Sequence, residues 1–148
     1  MNDVAIIPLQ HWPNPQGDVL LSYSERVCSL HYACWVAPGD PADFVCRLSF
    51  SGATLVRAFG REYIPYRVPE HTCRGYLLHI RDSDFATEHA AYRRRHYPHF
   101  PPDSTARSHY VFQGHDLYYE FFASSFTEAM IPQSAITDER LLELIHNA

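Results

Sequence analysis

Histidines and acidic side chains are the groups in this chain whose chemistry could serve a site. Ten histidines occur among 148 residues, and seven lie between positions 71 and 115: His71, His79, His89, His96, His99, His109 and His115. None of them has the HExxH, HxH or Cys-His spacing of recognised zinc sites. We therefore expect these imidazoles to be solvated or packed in the core, and we expect no bound metal or cofactor.

An enzymatic or metal-binding function is the alternative, and it makes a specific prediction about ligands. His79, His109 and Glu120 are the ligands we would expect, because neighbouring strands could present them on one face of a sheet. Cys73 stands beside a histidine and an arginine in HTCRG, and a nearby cation can activate a thiol. The chain lacks GxSxG, P-loop and GxGxxG motifs, the usual signatures of serine hydrolases, NTPases and dinucleotide-binding enzymes.

A hairpin near the carboxyl end must position two of these candidates. Residues 107–113 and 117–124 are rich in aromatic and β-branched side chains and flank Gly114-His115. Glycine at the first central position suits a two-residue type II′ turn. Such a turn pairs Gln113 with Asp116 and gives the hairpin one face that is almost wholly apolar.

The other face of this hairpin mixes charge with apolar bulk. In the predicted register His109 lies directly opposite Glu120, with Arg107 on the same face. A binding role for these three residues is one interpretation of the pattern. A satisfied cross-strand pair within the fold is the other, and it accounts for the same residues.

The rest of the chain predicts further strands that precede the first helix. Alternating or β-rich runs lie at Val19–Tyr23, Val27–Val36, Phe44–Phe50, Ala53–Phe59 and Gly75–Ile80. The Ser51-Gly52 step predicts that the third and fourth of these strands form a tight hairpin. Residues 1–18 and 126–134 are expected to be irregular, and residues 60–74 to form a loop over the sheet.

Two helices complete the prediction. Asp82, Ser83 and Asp84 are N-cap candidates for a helix that runs through Arg95, and Thr137 or Asp138 caps a terminal helix. Because the strands and helices do not alternate as βαβ units, we predict an α+β fold. It is a single domain over residues 1–148, with a mainly antiparallel sheet of about six strands and two helices.

Arginines and aromatic residues crowd the end of the first predicted helix. Arg93, Arg94 and Arg95 complement the helix dipole at that end, or they form a site for an anion or an acidic partner. Tyr97 and Phe100 follow among prolines, either as a lid packed on the sheet or as exposed anchors. Aromatic side chains with arginine are common interface hot spots.

Composition narrows the class of function. With 46% hydrophobic residues and a formal net charge of −5, the chain can build one core but lacks the basic character of a nucleic-acid binder. It shows neither a signal peptide nor a membrane span, so we expect a cytoplasmic protein. Four cysteines without CxxC spacing, at positions 28, 34, 46 and 73, are expected to be free thiols. An exposed edge strand leaves homodimerisation open.

Three short motifs carry a resemblance. They are Phe50–Gly52 with a following Arg57, Ile80–Phe85, and the run HYVFQGHDLYYEFFASSF at residues 109–126. Together they resemble a loosely defined group of small, mostly uncharacterised bacterial proteins, some of them encoded near toxins as immunity-type proteins. The motif positions here are Asp82, Ser83, Asp84, His109, Tyr110, Asp116 and Glu120. The likeness covers roughly residues 44 to 126 and supplies no catalytic residue.

These patterns together favour a nonenzymatic protein-binding module of the immunity type, which neutralises a cognate toxin through an acidic and aromatic surface. We expect no nucleic-acid or membrane partner. The residues expected to form the binding site are His109, Glu120, Arg107, His79, Arg93, Arg94, Tyr97 and Phe100.

Overall fold

A computed structural model describes residues 3–25, 27–66, 77–101 and 105–147. Over these residues the chain has an α+β fold of antiparallel sheets with two α-helices, as the sequence predicts. The number of strands, ten, exceeds the six expected. The elements are β1 (Asp3–Ile7), β2 (Trp12–Pro13), β3 (Val19–Tyr23), β4 (Val27–Ala37), β5 (Asp40–Ser51), β6 (Leu55–Gly60), β7 (Leu77–Arg81), α1 (Asp84–His96), β8 (Ser108–Gln113), β9 (Leu117–Ala123), β10 (Ser125–Pro132) and α2 (Glu139–His146).

The strands form two sheets. The first sheet has the order β1-β7-β8-β9-β6, and every neighbouring pair is antiparallel. The second sheet has the order β10-β5-β4, and both β2 and β3 pair with the far edge of β4. The chain therefore crosses from the second sheet to the first between β5 and β6, and it returns between β9 and β10.

The core lies between the two sheets because alternate residues of the central strands are apolar on the facing sides. Phe50 of β5 stacks on Phe121 of β9 with ring centroids 3.9 Å apart. Tyr32 of β4 contacts Phe112 of β8 across the same interface, at 5.0 Å. These aromatic pairs join the sheets face to face.

Helices cover the outer faces. Leu144 of α2 packs with Ala33 and Val45 on the outer face of the second sheet. On the outer face of the first sheet, Phe85 of α1 meets Phe122 of β9 edge to face, with centroids 5.2 Å apart. The order of layers is thus α1, first sheet, second sheet, α2. Within the described residues, neither helix is long and apolar enough to cross a membrane.

Several predicted elements are confirmed. β3 and β4 occupy the predicted runs, α1 begins after its cap at Ser83, and α2 begins after its cap at Asp138. The helix boundaries were readable because a capping side chain and nearby prolines mark them locally.

Three other expectations about local structure are wrong. The Ser51-Gly52 step does not close a hairpin, because β5 pairs with β4 and β10 while β6 pairs with β9. Gly52 has φ +63°, and a Cβ there would lie 2.7 Å from Ser124 Oγ, so this glycine serves the crossing between sheets. The segments expected to be irregular supply β1, β2 and β10, since edge strands gain order from backbone pairing as well as from apolar alternation.

Candidate functional site

The hairpin of β8 and β9 carries His109 and Glu120, in a register two residues from the predicted one. Gln113 pairs with Tyr118 rather than with Asp116, and Val111 stands opposite Glu120. Since side chains alternate with a period of two, a shift of two residues keeps each side chain on its face. His109 and Glu120 therefore still share the outer face, as diagonal neighbours.

Gly114 explains the wider turn. Its N–H donates to the carbonyl oxygen of Leu117 at 2.9 Å, and a Cβ at position 114 would lie 2.6 Å from that oxygen. Among the described glycines, Gly39 and Gly52 have a φ in the left-handed region, and Gly114 does not. The glycine is required for close backbone approach, so the predicted type II′ turn is wrong.

A buried polar network surrounds Glu120, whose side chain is fully inaccessible. One carboxylate oxygen accepts from His109 Nε2 at 2.8 Å and from the Tyr66 hydroxyl. The other accepts from Arg57 Nε on β6, and that arginine reaches in from the protein surface with 53% of its side chain exposed. Both carboxylate oxygens of Glu120 thus accept hydrogen bonds from other side chains of the protein.

Ser83 connects this network to α1. Its Oγ lies 2.7 Å from His109 Nδ1 and accepts from the backbone N–H of Ala86 at 3.3 Å, capping the helix. Because a carboxylate only accepts, Nε2 of His109 is the donor to Glu120, and Nδ1 shares its hydrogen bond with the serine hydroxyl. The turn before Ser83 has Asp82 in the left-handed region, with φ 51°. The helix N-terminus is therefore anchored to the sheet through one imidazole.

The electrostatics of the network follow from its contacts. Burial by itself would raise the pKa of Glu120, but hydrogen bonds from His109, Tyr66 and Arg57 outweigh burial and lower it. Burial, followed by the hydrogen bond to Glu120, raises the pKa of the Tyr66 hydroxyl. Glu120 is thus held as a carboxylate and Tyr66 as a neutral donor.

Ser83, His109 and Glu120 contact one another in the order found in a catalytic relay. Two observations bear on whether they could act as one. His109 is 1% exposed, and each of its nitrogens is already engaged. The serine oxygen serves as the cap of α1, which is a structural task. We assign these three residues to holding α1 on the sheet, beneath the surface that a partner could touch. The sequence predicts His109 and Glu120 as binding residues, and the structure places both in the buried network beneath α1.

His79 does not join them. It pairs with Tyr110, whereas the next residue, Ile80, pairs with His109, so His79 lies on the opposite face of the sheet. Its ring contacts Tyr110 at 5.7 Å, and burial is the main cause that lowers its pKa. The alternative ligand set of His79, His109 and Glu120 is therefore wrong. Among the described residues no group of three or more His, Cys, Asp or Glu side chains is placed to hold a metal. Cys73 lies outside the described residues.

The other five predicted binding residues meet in one groove. A depression of ≈ 610 Å³, which we call the α1 groove, opens between α1, the segment after it and the first sheet. Its lining comprises Ala86, His89, Ala90, Arg93, Arg94, Tyr97, Pro98, Phe100, Thr105, Arg107 and Phe122. The sequence prediction missed His89 and Phe122, which meet with ring centroids 6.2 Å apart.

The α1 groove is cationic and aromatic. Among the described residues, its lining contains three arginines and no acidic side chain, and no ion pair joins Arg93 or Arg94 to a carboxylate. Arg93 donates to the carbonyl oxygen of Pro101 at 3.3 Å. Tyr97 and Phe100 stack with centroids 5.6 Å apart while remaining 48% and 60% exposed.

Sequence reasoning also missed Arg57, Tyr66 and the contact of Ser83 with His109. The first two come from β6 and the segment after it, and a local pattern gave no sign that this part of the chain pairs with β9. Comparisons with protein-family models, curated proteins and solved structures found no significant match to the chain.

Proposed function

We propose that this protein is a nonenzymatic, cytoplasmic binding module that receives an acidic segment of a partner protein in the α1 groove. The observation that carries the proposal is the position of Arg93 and Arg94 in a groove whose described lining holds no carboxylate, and Arg107 lies in the same lining. The exposed, stacked rings of Tyr97 and Phe100 line the same groove.

Charge complementarity argues for an acidic occupant, whereas the sequence predicts contact through an acidic and aromatic surface. Guanidinium groups bind carboxylates through paired, charge-assisted hydrogen bonds. The chain as a whole carries a formal charge of −5, so attraction of an acidic segment depends on this local cluster rather than on net charge. The same net charge disfavours a nucleic acid, whose backbone would meet repulsion outside the groove.

The aromatic pair argues for a protein segment rather than a small anion. The near-parallel rings of Tyr97 and Phe100 cover part of each other's face, with centroids 5.6 Å apart. Their outer faces can cover an apolar side chain of a partner, and such aromatic anchors beside arginine are the usual hot spots of protein interfaces. The expected ligand therefore alternates acidic and apolar side chains.

The buried network supports the groove from below. Ser83 and His109 hold the first turn of α1 on the sheet, and the groove residues follow on the later turns of the same helix. None of the described residues of α1 is fully buried, so the helix is held by this anchor together with the contacts of Phe85 and His89 with Phe122.

An immunity-type role is the more specific form of the proposal. The resemblance of residues 44 to 126 to immunity-type proteins implies a toxin as the partner, which the module would neutralise by occupying an acidic segment. A second copy of the chain is a further partner that the exposed sheet edges allow.

The test is binding of a fluorescein-labelled peptide in which Asp and Trp alternate. Arg94→Gln should weaken its binding about 10-fold or more, because a hydrogen bond to a charged group contributes about 1.5–3 kcal/mol. Arg95→Gln is the matched control, since Arg95 is exposed on the same helix but does not line the groove. The control should bind within about threefold of wild type, in line with the small effect of a charge at the rim of an interface.

Two results would contradict the proposal. Equal weakening by both variants would show that only net charge matters. Tighter binding of a single-stranded oligonucleotide than of the peptide, at the same salt concentration, would replace the protein partner with a nucleic acid.

A further inference from the structure

Two buried cysteines on the second sheet have their sulfur atoms unusually close together. Cys34 of β4 and Cys46 of β5 are each 0% exposed, and their Sγ atoms are 2.7 Å apart. Even carbon atoms, which are smaller than sulfur, rest about 3.5–4.0 Å apart when they are not bonded. This distance is therefore far shorter than ordinary packing of two thiols.

The strand register explains the approach. Cys46 pairs with Tyr32, so Cys34 is its diagonal neighbour on the same inner face. The ladder between β4 and β5 is then interrupted by a register shift between Ala33 and Trp35. A bulge re-aims the side chain at its position, and here that side chain is Cys34.

We propose that Cys34 and Cys46 are an oxidisable pair that closes a disulfide between β4 and β5. Each thiol gives up a proton, the pair gives up two electrons, and an S–S bond forms between the two Sγ atoms. A low-molecular-weight disulfide accepts the electrons and is released as two thiols after passing through a mixed disulfide with one cysteine.

Burial determines when this exchange takes place. Because neither sulfur is exposed in the folded protein, the oxidant reaches them during folding or a transient opening of the sheet. In a reducing compartment the pair stays as two thiols, and under oxidising conditions it closes. The pair lies on the second sheet, so the α1 groove is not part of this proposal.

Cys28 provides a matched control. It is also buried on β4, and it faces the core opposite Phe50, six positions from Cys34. If burial on this strand were sufficient for oxidation, Cys28 would react as readily as Cys34. The structure instead assigns the bridge to the one pair whose sulfurs approach.

The experiment is refolding of the reduced, denatured protein in a buffer of oxidised and reduced glutathione, followed by mass spectrometry without reduction. Wild type and Cys28→Ala should each lose two hydrogens, and a digest should join the peptides that contain residues 34 and 46. Cys34→Ala and Cys46→Ala should lose none. The bridge closes a short loop, so the oxidised protein should melt about 6–12 °C above the reduced protein.

The proposal fails if the wild-type mass is unchanged after oxidative refolding, or if the joined peptides contain Cys28 or Cys73. The peptide map of the wild-type chain decides the question even where a cysteine variant does not fold.

Discussion

Replacing Glu120 with glutamine tests the buried network at its centre. Glu120→Gln keeps the shape of the side chain but removes its charge and one acceptor oxygen. His109 Nε2, the Tyr66 hydroxyl and Arg57 Nε all donate to the present carboxylate, so an amide nitrogen must face at least one donor. Arg57 can turn to water because 53% of its side chain is exposed, whereas His109 cannot.

The expected cost is about 3 kcal/mol in the free energy of unfolding. An unsatisfied buried donor costs about 1–3 kcal/mol, and a hydrogen bond to a charged acceptor contributes about 1.5–3 kcal/mol. For a chain of this length, that cost lowers the melting temperature by about 6–12 °C. Glu88→Gln, at an exposed position on α1, is the control and should change stability by less than about 0.5 kcal/mol.

The pH dependence supplies a second readout. The pKa of Glu120 in the folded protein lies below that of an ordinary glutamate side chain, so the unfolded chain takes up the proton first as the pH falls. The stabilisation is fully present above the unfolded pKa and is lost as the pH falls through the folded pKa. Urea unfolding from pH 7 down to pH 3 should therefore show a stability difference between wild type and Glu120→Gln that narrows below about pH 4.5. A constant difference across this range, or no difference at pH 7, would refute the assignment of Glu120 as a buried carboxylate.

Two further predictions concern the anchor of α1 and the turn of the hairpin. Ser83→Ala removes both the helix cap and the partner of His109 Nδ1, so it should destabilise the protein by about 1–3 kcal/mol in urea titrations; a loss below about 0.3 kcal/mol would show that the contact is not formed. Gly114→Ala places a Cβ against the Leu117 carbonyl and should cost about 1–3 kcal/mol by the same measurement. An unchanged unfolding midpoint for this variant would contradict the turn geometry.

The sequence predicted those features that depend on local pattern. The faces of the β8–β9 hairpin came out correctly although its register did not, because an even shift preserves the alternation of side chains. The sequence also predicts most of the arginines and aromatic residues of the α1 groove. Arg93, Arg94, Tyr97 and Phe100 are close in sequence and lie at a helix end followed by prolines. Of the five predicted residues, Arg107 comes to the groove from a more distant part of the chain, as does Phe122, which was not predicted.

Features that depend on pairing between distant strands escaped prediction. Because Ser51-Gly52 has the composition of a tight turn, the sequence predicts that the strand of Arg57 pairs with β5. The strand pairs with β9 instead, and Arg57 therefore lies beside Glu120. His79 was expected beside His109, and a single step of register in the β7–β8 pair puts it on the other face. Strand partners and registers are set by how the whole chain is distributed between the two sheets, and a local sequence pattern does not contain this information.

The central claim is that the cationic, aromatic α1 groove binds an acidic protein segment. The most direct measurement is the ratio of dissociation constants of Arg94→Gln and Arg95→Gln for the alternating Asp-Trp peptide. We expect a ratio of at least about 3, which shrinks as salt is added. A ratio near one at every salt concentration would contradict this claim.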